Sequence, residues 1–304
     1  MLEASRGPLL SEESTFNSEI AVQRRNRSTW ALFCGEASWI GCEAGWILLV
    51  PQLSIPLGAL AFVFLFWAML LDIQCSRRFE WWFPSVLEVL WLSVNLVWMY
   101  AEFAWDSPDE QTPWALTPLF GQEDDSTYNR VQTLCMLGFF CVPGTWLLST
   151  GVLCLARSQT TSSRGARAIV IQAGHIALWA LMDAAWACGL MWLAVTAGVA
   201  TMVMLAMNLE PDSGGGLICS GGAWYRGADR ADIAWIIWTA SNLVWVLCEL
   251  GCDDSLPVRY AASMLGLISL LLLLGSYQQV RDQEKSRFSQ LFRDERVVTS
   301  LSGE

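Results

Sequence analysis

Charge is scarce in this chain: Asp, Glu, Lys and Arg make up 15% of its 304 residues, where an ordinary soluble domain carries roughly 25%. Lysine and histidine are scarcer still. The single lysine is Lys285, near the C-terminus, and the single histidine is His175. Each shortage excludes a class of protein. Without a lysine in an apolar run there is no Schiff base for a retinal-type chromophore. One histidine cannot make a bis-histidine haem site, and it argues against the zinc hydrolases that need several. None of the ten cysteines forms a C-x-x-C pair, so neither a zinc site nor a disulfide framework is expected. Nine of them lie in or beside apolar segments, where cysteine packs as a small hydrophobe. The Gly-rich stretch "SGGG" lacks the Lys-Ser/Thr that a phosphate loop requires. The net charge of −11 gathers into no basic face, so no nucleic-acid partner is expected. No cofactor is expected either.

What the chain has in abundance is apolar length. Hydrophobic residues make up 54% and mean hydropathy is +0.39. Runs of about 20 such residues span the roughly 30 Å of a bilayer's hydrocarbon. The expected fold class is therefore all-α, a polytopic integral membrane helical bundle whose main partner is the lipid bilayer. Eight spans are expected at 30–50, 57–73, 84–105, 131–155, 168–188, 190–209, 232–252 and 258–277, the fifth and sixth turning near Gly189.

Orientation follows from the arginines. With an inside N-terminus, every cytosolic segment carries basic residues: Arg24, Arg25 and Arg27; Arg77 and Arg78; Arg157, Arg164 and Arg167; Arg226 and Arg230; and those of the tail. The other side receives Arg130 and Arg259 alone. This places both termini in the cytosol. The first span then acts as a signal anchor, and Asn26-Arg27-Ser28 stays on the cytosolic side as an unused glycosylation pattern. The expected organisation is a polar tail over 1–29, a four-helix half over 30–156, a linker over 157–167, a second half over 168–277 and a C-terminal tail from 278. The loop 210–231 reads as flexible. The tail carries Phe288, Leu291 and Phe292 on one helical face.

Two stretches stand out within the spans. "NLVWMYAE" begins at Asn95 and "NLVWVLCE" at Asn242. The same order of polar residue, Trp, small residue and acid recurs as Glu36/Trp39/Glu43 in the first span. It appears in part as Asp183/Trp186 in the fifth. The set is thus Glu36, Trp39 and Glu43; Asn95, Trp98 and Glu102; Asp183 and Trp186; Asn242, Trp245 and Glu249. Its recurrence in alternate spans implies a repeated two-helix unit. It also implies two halves related by an axis along the membrane normal. A spacing of three, four and seven residues puts each set on one helical face. Such a face belongs in the bundle interior, because lipid would leave its polar groups unsatisfied. The even-numbered spans would form the lipid-facing wrap.

Leaving aside the two residues at each end, the spans carry Glu36, Glu43, Glu88, Glu102, Asp183 and Glu249 and no basic side chain. Buried carboxylates then need protons, a bound cation or a cationic substrate, and indole faces attract cations. The expectation is a transporter or channel-like protein for a cation or small cationic solute. Glu43, Glu102 and Glu249 would bind charge, Asn95, Asn242 and Asp183 would supply hydrogen bonds, and His175 would pair with Asp183 as a relay. The alternative is a non-transporting membrane scaffold or receptor, in which the indoles bond the acids and hold the helices together. A lipid-directed enzyme would need a nucleophile or metal set that the sequence does not present.

Overall fold

The computed structural model describes the backbone of residues 7–75, 79–105, 125–157, 173–208, 225–251 and 255–301. Side chains are described within 27–74, 82–103, 130–152, 173–206, 231–251 and 255–278. The described residues form eight α-helices and no strand. They are α1 (Gly7–Ile47), α2 (Pro51–Cys75), α3 (Phe79–Trp105), α4 (Asp125–Arg157), α5 (Gly174–Ala187), α6 (Met191–Asn208), α7 (Tyr225–Gly251) and α8 (Leu256–Leu301). Each expected span coincides with one helix, although the first residues of the fifth lie outside the described ones. So does most of the Gly-rich loop. α8 continues well past its apolar stretch as a 46-residue helix; the tail side chains Phe288, Leu291 and Phe292 also lie outside the described ones.

Five helices are long and apolar enough to cross a membrane: Pro51–Gln74, Trp82–Phe103, Arg130–Val152, Ala231–Gly251 and Leu256–Gln278. The protein is an integral membrane protein on that ground. The other three fall short for visible reasons. α1 carries Glu36 and Glu43 within its apolar run, α5 has only 14 residues, and the apolar part of α6, Met191–Ala206, is short.

The helices close into a ring in chain order. Each packs on the next, and α8 returns to pack on α1. Three contacts close that last seam: the rings of Phe33 and Tyr277 stack with centroids 4.2 Å apart, Ser263 Oγ donates to the carbonyl of Ala44, and Arg259 donates to that of Ile47 at 2.9 Å. α1 and α2 pack closely, because glycines line α1. A Cβ on Gly35 would stand 2.6 Å from Leu65 Cδ2, and one on Gly45 2.7 Å from Ser54 Oγ. Small residues of this kind let membrane helices meet backbone to backbone.

The α1–α2 and α5–α6 connections are built alike. Leu49 N–H donates to Trp46 O and Val50 N–H to Gly45 O; Gly189 N–H donates to Trp186 O and Leu190 N–H to Ala185 O. This is the Schellman pattern, which needs a left-handed residue after the helix. Gly189 supplies it with φ +68°, and Leu49 with φ +56°. Pro51 then opens α2 with the fixed φ and missing N–H that suit a first helical position. Each turn falls three residues after a tryptophan, so both mark one end of the bundle, called the turn end below.

The odd-numbered helices carry the core. Ten of the fourteen residues of α5 are buried. In the apolar window of α7, 56% is buried, and in that of α4 only 17%. The even helices turn Leu148, Val63 and Leu271 outward instead, as side chains facing lipid do.

Candidate functional site

Inside the ring the tryptophans stand in two tiers. The tier nearer the turn end holds Trp46, Trp98, Trp186 and Trp245, one from each odd helix. Its ring centroids lie 4.5 to 6.5 Å apart. Seven residues earlier on each helix stand Trp39, Trp91, Trp179 and Trp238, linked by contacts of 4.9 to 6.1 Å. Most of these pairs meet edge to face, the arrangement the ring quadrupole favours. Seven residues is two helical turns, roughly 10 Å of rise, so the tiers stack along the bundle axis.

The structure thus corrects the register of α1. The sequence pattern set Trp39 beside Trp98, Trp186 and Trp245; the fold puts Trp46 there, and Trp39 in the other tier. Glu43, not Glu36, is then the counterpart of Asn95, Asp183 and Asn242. The unit is Trp, polar four residues later, Trp three residues after that, as in "WIGCEAGW", "WLSVNLVW", "WALMDAAW" and "WTASNLVW". The signal was in the sequence. Glu36 and Glu43, with Trp39 between them, mimic the pattern of the other helices and mask Trp46.

Between the tiers lies a layer of Glu43, Asn95, Asp183 and Asn242, all buried. Asp183 Oδ2 accepts from Trp91 Nε1 at 2.7 Å and from Asn95 Nδ2 at 3.2 Å. Glu43 Oε2 accepts from Asn242 Nδ2 at 3.2 Å. Glu43 and Asp183 are near enough to repel each other, and among the described residues no cationic side chain bonds either one.

The carboxylates at the turn end are held differently. Glu102 accepts from Trp46 Nε1 at 2.8 Å. Glu249 accepts from Trp245 Nε1 at 2.7 Å and Trp186 Nε1 at 3.0 Å, and pairs with Arg259 at 3.4 Å. Arg259 overturns the expectation that no basic group reaches these acids. It begins α8 close enough to reach both Glu249 and the carbonyl of Ile47.

At the opposite end Glu36 stands beside Glu88 and Asp232, with Trp235 at its carboxylate. Asp72 accepts hydrogen bonds from Ser28 and Ser85. His175 does not pair with Asp183: its ring meets Trp179 edge-on at 4.9 Å. Eight residues along one helix, about 12 Å of rise, separate the two.

The inner bonds run helix to helix around a closed square. Trp46–Glu102 joins α1 to α3, Trp91–Asp183 joins α3 to α5, Trp186–Glu249 and Trp179–Thr239 join α5 to α7, and Asn242–Glu43 joins α7 to α1. Among the described residues no group of three or more His, Cys, Asp or Glu side chains is arranged to hold a metal ion. No protein family, curated protein or solved structure matches the chain.

Proposed function

We propose that this membrane protein has eight spans and both termini in the cytosol. In this reading it moves a cation or small cationic solute along the axis enclosed by its odd-numbered helices. The Glu43–Asp183 layer carries the reading. Two buried carboxylates share one layer at mid-bundle, between two walls of indole, with no side-chain cation bonded to them among the described residues. Acids within membrane helices are costly and belong to ion and proton pathways, and the indole tiers above and below offer cation-attracting faces. The equivalent turns after α1 and α5, and the four Trp–polar–Trp units, support an internally repeated helix pair and two four-helix halves. The arginine distribution supports the turn end as the non-cytosolic face.

The test is flux. In proteoliposomes loaded with candidate cations, Glu43→Gln and Asp183→Asn are each expected to lower uptake at least tenfold. Wild-type flux in both would sink the reading. The scaffold alternative draws on one specific observation: Glu102 and Glu249 already have indole or guanidinium partners that stitch α1 to α3 and α5 to α7. Those two acids are therefore assigned to holding the bundle together.

A further inference from the structure

The outer face of the α1–α2 pair carries a guanidinium that no acid answers. Arg27 is exposed, and among the described residues it closes no ion pair. Two contacts set its level against α2. Ser28 Oγ donates to Asp72 Oδ1, and the rings of Trp30 and Trp67 meet edge to face with centroids 6.1 Å apart. Arg27 therefore falls level with the polar end of the α2 span, which closes at Gln74. Asp72 is the sole acid of α2. It accepts from Ser28 and, at 2.7 Å, from Ser85 of α3, so it bonds serines rather than Arg27.

A second observation lies one turn deeper. Trp30 and Trp67 are each 40% exposed, and Trp30 also meets Phe64 edge to face at 5.4 Å. Trp30 follows Arg27 by three residues, on the same side of α1. Arg24 occupies the preceding turn of the same helix. Exposed indoles at the end of a membrane span sit at headgroup level, and arginines just beyond a span attract anionic lipid.

We infer that Arg27, Trp30 and Trp67 form a seat for the headgroup of an anionic phospholipid. The guanidinium fork matches two phosphate oxygens. The indoles lie against the glycerol backbone and the first methylenes, apolar in body and polar at the N–H. Charge selects the lipid class. A zwitterionic headgroup brings its own ammonium to the phosphate, whereas an anionic one leaves a net charge for Arg27 to balance. A soluble anion would gain nothing from the indoles. The seat stands apart from the cation reading and holds whether or not the protein moves a cation.

Retained lipid tests it. The full chain is reconstituted in vesicles of equal phosphatidylglycerol and phosphatidylcholine and extracted in mild detergent. Bound lipid is then counted by native mass spectrometry. An excess of phosphatidylglycerol is expected. Arg27→Gln should cut that excess about fivefold, the weight of one arginine at an anionic surface. Arg27→Lys, which keeps the charge, should stay closer to wild type. Trp30→Leu combined with Trp67→Leu should lower the excess about threefold. Trp192→Leu should leave it unchanged, since that indole is 77% exposed on α6, outside the patch. Equal retention of the two lipids, an excess that survives Arg27→Gln, or an equal loss in Trp192→Leu overturns the seat. Inorganic phosphate or an acidic peptide that strips the phosphatidylglycerol at equimolar concentration would assign the patch to a soluble anion and overturn the lipid.

Discussion

Leu49 holds a conformation that leucine resists. Its φ of +56° lies in the left-handed region, where a side chain costs an L-residue roughly 1–2 kcal/mol. Its side chain is 57% exposed, so little packing offsets that strain. Gly189 occupies the equivalent turn with φ +68° and open space around a Cβ. The two positions make opposite predictions. Leu49→Gly should raise the thermal midpoint, with a gain of up to about 1 kcal/mol once glycine's larger entropy loss is deducted. Gly189→Ala should lower stability by a similar amount, purely through backbone strain. Thermal unfolding in one detergent measures both. If both substitutions moved the midpoint in the same direction, the shared turn geometry would be wrong.

At the level of the helix, packing is decided by what stands opposite each small residue. A Cβ on Gly35 would meet the Leu65 side chain at 2.6 Å and the Leu65 backbone nitrogen at 3.1 Å. A side chain can rotate away, but a helix backbone cannot, so Gly35→Ala must push α1 and α2 apart at a cost of about 1–3 kcal/mol. Gly144 on α4 has nothing within 4 Å of a Cβ, so Gly144→Ala should leave the midpoint unchanged or raise it slightly. Equal losses at the two sites would show that helix propensity, not contact, governs. The helices themselves were legible from apolar length, and the inward face of the odd ones from Trp and polar residues seven apart. The register of α1 was not. Its acids at Glu36 and Glu43 bracket Trp39 much as Asn95 and Glu102 bracket Trp98, so matching acids to acids slid the helix by two turns. Matching tryptophans to tryptophans restores it, because indoles in contact fix the level of a helix more firmly than acids that find different partners. The reach of Arg259 is hidden in the sequence for a related reason. Its place at the start of a span suggested solvent, while the long guanidinium arm reaches back to Glu249 and Ile47.

For the molecule as a whole, the property least visible in the sequence is closure. Neighbouring helices in a membrane bundle pack by default, since short connections leave them little choice. Nothing in the chain's order requires α8 to return to α1. That seam rests on side chains with no shared motif: Phe33 against Tyr277, Ser263 and Arg259 against carbonyls of α1. Closure matters because it is what brings Asn242 of α7 to Glu43 of α1 and completes the layer between the tiers. An open arc would leave Glu43 at an edge. Cross-linking decides between ring and arc. In a background with Cys34→Ser, Phe33→Cys and Tyr277→Cys are introduced and treated with a short bifunctional maleimide. A protease site is inserted in the segment between α4 and α5. After cleavage, a closed ring predicts that the two fragments migrate together on a denaturing gel, only when both new cysteines and the cross-linker are present. Separate fragments under every condition would mean that α8 does not reach α1. The Glu43–Asn242 bond, and with it the proposed cation layer, would then lose its geometric basis.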